Sequence, residues 1–152
     1  MTNRGFTLFV AIVVTGTILL IATGLINLAV RQAFITSSGR ESQNAFYAAD
    51  TGIECVLYWD VQNPSGFSAF ATSSTSVINC NQNAANPANP SPATVGGADQ
   101  STFEISFQPD SYCAIVTVTK ELDGSTKIES RGYNTCSSSD PRRVERAIRV
   151  TY

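Results

Sequence analysis

Four cysteines are the residues of this sequence whose types and spacing most plainly suggest chemistry. Cys55, Cys80, Cys113 and Cys136 follow one another at intervals of 25, 33 and 23 residues, and none belongs to a Cys-x-x-Cys pair. Such spacing is not typical of zinc knuckles, whose ligands come in close pairs. An even number of cysteines in a small chain indicates two disulfides formed in an oxidising compartment, with reduced, buried thiols as the alternative.

Catalytic chemistry has little support in this composition. The 152 residues include no histidine, which removes the commonest general base and the commonest metal ligand. The carboxylates are scattered, and paired cysteines leave no activated nucleophile. Glu121 and Asp123 precede Gly124 in a turn, but an ordinary hairpin is favoured over a calcium site, which needs 6–8 oxygens. We therefore expect no enzymatic activity, no cofactor and no metal.

A basic cluster lies near the C-terminus and is a candidate ligand-binding site. It consists of Arg142, Arg143, Arg146 and Arg149. The net charge of −2 gives no sign of general nucleic-acid affinity, which requires a clearly basic face. DNA or an acidic neighbouring protein would suit the cluster, whereas a solvated strand edge that discourages aggregation is the simpler interpretation.

A long apolar segment precedes all four cysteines. Residues 6–30 contain no charged side chain, and a helix of about 20 apolar residues is long enough to cross the hydrocarbon core of a membrane. The segment is too long for the apolar part of a secretory signal, and no clear Ala-x-Ala site follows it. We predict a helix that crosses the membrane in residues 6–30.

The helical periodicity continues through residues 31–60 and predicts an amphipathic helix there. One stripe about 120° wide holds Ile35, Ser38, Ser42, Ala45, Phe46, Ala49, Ile53, Val56 and Leu57. No proline occurs before Pro64, so one helix from Phe6 to about Trp59 is predicted. The small side chains Ala45, Ala48, Ala49 and Gly52 would let a sheet pack close to this helix.

The remaining sequence predicts a loop followed by a sheet. Residues 61–101 are rich in Asn, Pro, Ala and Ser, and they are interpreted as a loop between helix and sheet. Residues 102–152 alternate apolar and polar side chains in four runs, with a turn at Pro109–Asp110 and a hairpin in which Gly124 is left-handed. The predicted fold class is α+β: a long N-terminal helix packed on a four-stranded antiparallel sheet.

Three disulfide pairings are open to the four cysteines. A hairpin about Asp123 would bring Cys113 near Cys136, which favours that pair. Cys55–Cys80 then remains, and it would hold the loop against the helix.

The N-terminus resembles a known family. Arg4-Gly5-Phe6-Thr7-Leu8, followed by the apolar segment, is similar to the class III signal of type IV pilins and pseudopilins. The resemblance implies a leader of residues 1–5, cleavage between Gly5 and Phe6 by prepilin peptidase, and N-methylation of Phe6. Cleavage there would leave the membrane helix on the mature protein. The stretch from Ala45 to Cys55, with its Ala-Ala-acid-x-Gly pattern, also resembles some minor pilins.

The resemblance further implies how subunits assemble. The first mature residues, Phe6, Thr7, Leu8 and Val10, would lie at the assembly surface. The family usually has glutamate at the fifth mature position, where it neutralises the N-terminal amine of a neighbour, but this chain has Val10. A buried ammonium without a partner costs several kcal/mol. The absence of the glutamate points to a minor subunit, unless Thr7, backbone carbonyls or methylation satisfy the amine.

The function implied by the resemblance is structural. The chain would be a single-pass protein of the cytoplasmic membrane with its head outside the cytoplasm, and later a subunit of a cell-surface filament. Its partners would be the prepilin peptidase, the pilus assembly platform and other pilin subunits. A type II secretion pseudopilin and a DNA-uptake pilin are alternatives within the family. A signal-anchored extracytoplasmic binding domain is the alternative outside it.

Overall fold

The computed structural model describes residues 4–63, 66–80, 92–107 and 110–152, with side chains from Phe6 onward. Strands β3 to β6 form an antiparallel four-stranded sheet in that order, and β1 pairs with β2 in a separate two-stranded sheet. The predicted α+β fold is confirmed. The elements are α1 (Arg4–Val61), β1 (Thr75–Ile78), β2 (Ala93–Gly96), β3 (Gln100–Ser106), β4 (Cys113–Lys120), β5 (Thr126–Tyr133) and β6 (Glu145–Thr151).

The chain divides into two compact units, residues 1–39 and residues 40–152. In the first unit, α1 exposes nearly every described side chain. The second unit contains the remainder of α1, both sheets and the hydrophobic core. The helix agrees with the predicted bounds to within two residues at each end.

Small residues let α1 lie directly against the four-stranded sheet. Ala45, Ala48 and Ala49 are fully buried. A Cβ atom at Gly132 of β5 would lie 2.0 Å from the carbonyl oxygen of Ala45 and 2.4 Å from the amide nitrogen of Ala49. At Gly52 of the helix, an added Cβ would lie 2.3 Å from the Ser130 hydroxyl. Helix and strand therefore meet backbone to backbone, as the run of small residues predicted.

The face of the sheet that meets α1 carries the core. Register pairs such as Phe103 with Val116, and Val118 with Ile128, place buried side chains side by side on adjacent strands. Because successive strand residues point to opposite faces, the alternate residues form a second, largely polar face on the other side. Ala45, Ala49, Ile53 and Val56 of the predicted helix stripe are therefore buried together with one sheet face. The stripe was predicted too long, since its members Ile35, Ser38 and Phe46 are exposed.

The two-stranded sheet was missed by sequence reading. Residues 61–101 were predicted to be a loop, but β1 and β2 pair from Thr75 with Gly96 to Ile78 with Ala93. Ile78 and Val95 are buried. Each strand has only four residues, which is too short for a clear alternating pattern, and their partners are distant in sequence. The part of the predicted loop in residues 81–91 lies outside the described residues.

The turns of the larger sheet follow their sequence signals closely. In the β4–β5 turn, the Glu121 amide donates to the Ser125 carbonyl at 2.9 Å, and Gly124 has φ +88°, as predicted. From residues 143–152 the alternation predicts the fourth strand, but β6 begins at Glu145, because the Val144 amide donates to the side-chain oxygen of Asn134. The predicted turn at Pro109–Asp110 falls partly outside the described residues.

We predict that Gly132→Ala destabilises the second unit by about 2–3 kcal/mol, because the new methyl group would overlap the backbone of α1. Denaturant unfolding of the full chain in detergent, followed by Trp59 fluorescence, measures the change. Gly39→Ala is the control, since a Cβ there meets nothing within 4 Å and alanine favours the helix. Equal stabilities of Gly132→Ala and the unsubstituted chain would contradict the close contact.

Candidate functional site

The exposed apolar part of α1 is the first candidate site. The helix beginning at Phe6 is long and apolar enough to cross a membrane, and none of its most apolar window is buried among the described residues. Its threonine hydroxyls donate back to helix carbonyls, as from Thr15 to Ala11 at 2.8 Å and from Thr23 to Leu20 at 2.9 Å. These bonds satisfy the hydroxyl donors within the helix, which is what a hydrocarbon environment requires.

The predicted processing and assembly residues all lie at the start of this helix. Gly5 and Phe6 belong to its first turns, and Phe6, Thr7, Leu8 and Val10 are exposed. Phe6 and Val10 are four residues apart, so they share one helix face. The described structure therefore presents this end of the helix to an environment outside the chain.

One predicted disulfide is present. Cys55 of α1 is bonded to Cys80, with their Cα atoms 5.5 Å apart. Next to it, the indole nitrogen of Trp59 donates to the carbonyl of Asn79 at 3.3 Å. The chain after β1 is therefore fixed to α1 at two adjacent points, and closing a loop of 25 residues adds about 3 kcal/mol of stability.

The second predicted pair is close together but not bonded. Cys113 is a buried thiol and Cys136 an exposed one, and their sulfur atoms lie within 4.8 Å of each other and of a Glu104 carboxylate oxygen. Burial raises the pKa of the Cys113 thiol, and the adjacent Cys136 and Glu104 raise it further, against the opposing effect of Arg143. The Cys113–Cys136 disulfide therefore stays a prediction.

The four arginines of the basic cluster have separate surroundings. Arg143 stacks 3.7 Å over the ring of Tyr133, and its buried Nε atom has no hydrogen-bond partner among the described residues. Arg146 donates to Ser42 of the helix at 2.8 Å. Arg149 is paired with Glu129 at 2.8 Å. Arg142 is exposed. The cluster is thus not one convergent pocket on this chain.

Glu129 joins two arginines on the polar face of the sheet. It accepts from Arg131 at 2.6 Å and from Arg149 at 2.8 Å. Hydrogen bonds from Arg149 and Arg131 hold the pKa of Glu129 below its ordinary value. Sequence reading noted Arg149 but missed its carboxylate partner, because the pairing depends on strand register.

A buried carboxylate near the end of α1 ties four segments together. Lys120 of β4 donates to both oxygens of Asp60, at 2.7 and 2.8 Å, and the hydroxyls of Ser68 and Tyr152 also donate to it. Burial alone would raise the pKa of Asp60, but the bonds from Lys120, Ser68 and Tyr152 outweigh it and lower the pKa. Burial raises the pKa of Tyr152, and the hydrogen bond to Asp60 raises it further. Sequence reading missed this cluster, whose members come from distant positions.

Comparison with known families identifies the N-terminal segment. Residues 4–54 match the family model described as PilX N-terminal. This third of the chain is similar to the N-terminal segment of type IV pilus minor pilins. No curated protein and no solved structure shows significant similarity to it.

The family match includes most of α1. It includes the exposed apolar segment with Gly5 and Phe6, and it extends through the small residues that contact the sheet. It ends at Glu54, one residue before the Cys55 disulfide. The match therefore leaves out both sheets of the second unit.

We predict that the protein isolated from an oxidising compartment contains both disulfides. Cys113 and Cys136 are close enough to pair after small movements, and an exposed Cys136 is accessible to an oxidant. Intact mass should be lower by four hydrogens than that of the reduced chain, and Cys136→Ser should lower this difference to two. Alkylation of Cys113 and Cys136 without prior reduction would contradict the second disulfide.

We predict that Asp60→Asn destabilises the fold by about 3 kcal/mol, because it leaves Lys120 without its buried counter-charge. The lowered pKa of Asp60 has a second consequence. Its stabilising contribution is complete above the ordinary carboxyl pKa of 3.8 and is lost as pH falls through the folded-state pKa.

Both the loss of stability and its pH dependence are tested by measuring the free energy of unfolding between about pH 2 and pH 6. Carboxyl groups titrate in roughly this range. The Asp60→Asn variant should show a weaker pH dependence than the unsubstituted chain. Glu121→Gln, at an exposed position, is the control and should change neither quantity. A pH dependence that is identical with and without Asp60 would exclude this role.

Proposed function

We propose that this chain is a minor subunit of a type IV pilus or a closely related filament. One observation carries the proposal: an uncharged helical segment, exposed along its length, begins at Gly5-Phe6 within a region that matches the PilX N-terminal family. The attached head has its own core and a disulfide. A head on such a helix is suited to assembly rather than to catalysis.

The proposed pathway begins in the cytoplasmic membrane. The apolar segment anchors the precursor there, with residues 40–152 outside the cytoplasm, where the Cys55–Cys80 disulfide is chemically stable. Prepilin peptidase removes residues 1–5, and Phe6 becomes the N-methylated first residue. The assembly platform then transfers the helix from lipid into the filament core, where it packs on the helices of other pilin subunits.

Val10 supports the assignment to a minor rather than a major position. A filament core of identical subunits would bury many N-terminal amines, and Val10 offers none of them a negative charge. A buried cation left unpaired costs several kcal/mol at each interface. A subunit present in few copies, next to a partner that supplies the charge, avoids that repeated cost.

The mature N-terminus tests the proposal. We expect intact-mass and peptide measurements on protein from the native membrane or shed filaments to show a chain that starts at N-methylated Phe6. Gly5→Val should block cleavage and leave residues 1–5 attached. Gly39→Ala, a glycine change elsewhere in the same helix, should be processed normally.

A chain that retains Met1 or Thr2 in cells with active prepilin peptidase would contradict the proposal. The protein would then be a signal-anchored head whose helix stays in the membrane.

A further inference from the structure

The two thiols of the second cysteine pair differ in their access to solvent. Cys113 is the first residue of β4 and is only 2% exposed. Cys136 lies in the connection between β5 and β6 and is exposed. A reagent from outside the chain can therefore reach Cys136 while the fold still covers Cys113.

The connection that carries Cys136 is fixed by hydrogen bonds that involve neither sulfur atom. The Cys136 amide donates to the carbonyl of Ser111, two residues before Cys113, at 2.9 Å. Further along, the side-chain amide of Asn134 donates to the carbonyl of Arg142 at 3.1 Å. A chemical change at the Cys136 sulfur therefore leaves this residue beside Cys113.

The surroundings of Cys113 also keep its sulfur protonated. Burial raises the pKa of the Cys113 thiol, its hydrogen bond with Cys136 and the Glu104 carboxylate raise it further, and Arg143 opposes them. The thiolate, not the thiol, attacks a disulfide. Cys113 is thus disfavoured as the first thiol to react both by its burial and by its protonation.

The surface around Cys136 leaves room for a large reagent. Residues 136–139 have the sequence Cys-Ser-Ser-Ser, and all four are exposed. Their side chains are small, so they do not shield the Cys136 sulfur from an approaching molecule. A protein that carries a reactive disulfide can approach this segment, as can a small disulfide.

We propose that Cys136 is the thiol that an external disulfide modifies first, and that Cys113 then displaces the external group. In the first step, the Cys136 thiolate attacks one sulfur of the external disulfide, which forms a mixed disulfide and releases the other sulfur as a thiolate. In the second step, Cys113 loses its proton to solvent and attacks the Cys136 sulfur, which releases the remaining external thiolate. The pair loses two electrons and two protons, and the external disulfide is reduced to two thiols.

The proximity of the two sulfur atoms makes the second step intramolecular. They lie within 4.8 Å of each other, so Cys113 needs only a small movement to reach the mixed disulfide. An external thiol must instead diffuse to the same sulfur at its concentration in solution. The mixed disulfide at Cys136 is therefore short-lived as long as Cys113 is present.

Variants with one free thiol test the order of reaction on the full-length protein in detergent. Cys113→Ala leaves only Cys136 free, and Cys136→Ser leaves only Cys113 free, because Cys55 and Cys80 are bonded to each other. Alanine suits position 113, since a buried cysteine behaves as a small apolar residue. With oxidised glutathione as the probe, Cys113→Ala should gain one glutathione in its intact mass at least about tenfold faster than Cys136→Ser does.

The same reaction in denaturant is the control for folding. Once the head is unfolded, the two variants should react at similar rates, because only the fold distinguishes the two thiols. Trp59 fluorescence shows whether each variant is folded before the denaturant is added. Equal rates in the folded variants, or a faster reaction of Cys113, would overturn the proposed order.

The role of Cys113 in the second step is tested on the reduced chain that keeps both cysteines. Peptide mapping should find glutathione on Cys136 only transiently, followed by a Cys113–Cys136 bond. Glu104→Gln should shorten the lifetime of the adduct about threefold, because the gain in Cys113 thiolate exceeds its loss of nucleophilicity. Glu121→Gln, an exposed carboxylate in the β4–β5 turn, is the matched control and should leave the lifetime unchanged. A lasting adduct beside an intact Cys113 would exclude Cys113 as the displacing thiol.

The Cys113→Ala variant isolated from native membranes identifies the source of the disulfide in cells. A small thiol on Cys136 indicates a small-molecule disulfide, and a covalently attached protein indicates an oxidoreductase. An unmodified Cys136 in this variant would overturn exchange with an external disulfide. The exchange requires no cleavage at Gly5, so an unprocessed chain that carries the adduct overturns only the proposed filament function.

Discussion

The contact between the backbones of α1 and β5 is the constraint on which the head depends. Side chains smaller than methyl are required at Gly132 and Gly52, and the alanines of the helix must be fully buried for the two segments to approach so closely. This approach sets the rotation of α1 about its axis. With that rotation fixed, Ile53 and Val56 lie in the core, while Cys55 remains at its margin, where Cys80 can reach it.

Two further connections hold the parts of the head that this contact does not reach. The Cys55–Cys80 disulfide and the Trp59 hydrogen bond fix the chain around β1 to the helix. The Asp60 carboxylate gathers donors from β4, the C-terminus and the loop after α1. Because a partly paired buried carboxylate is costly, these donors are effective only together. The second half of α1 is therefore bonded to β4, to the C-terminus and to the chain on both sides of β1.

Local patterns predicted most of this architecture. The uncharged segment, the helical stripe with its small residues, the alternation in residues 102–152 and Gly124 each define their element from neighbouring residues alone. The two-stranded sheet, the partners of Asp60 and the pairing of Glu129 with Arg149 could not be predicted in this way. Each depends on which distant residues the fold brings together, and strand register or loop closure decides that. The second cysteine pair was predicted only in part. The hairpin predicted that Cys113 and Cys136 would be neighbours, but it could not predict their oxidation state.

The threonines of the apolar segment allow the helix to be surrounded by either lipid or other helices. Their hydroxyls are bonded to carbonyls of the preceding turn, so the segment requires no polar partner from either lipid or protein at these positions. Exchange of lipid chains for neighbouring helices then breaks no hydrogen bond of Thr15, Thr17 or Thr23. In the proposed filament, withdrawal of a subunit into the membrane would be the reverse of its insertion. The same intact helix could then be assembled again.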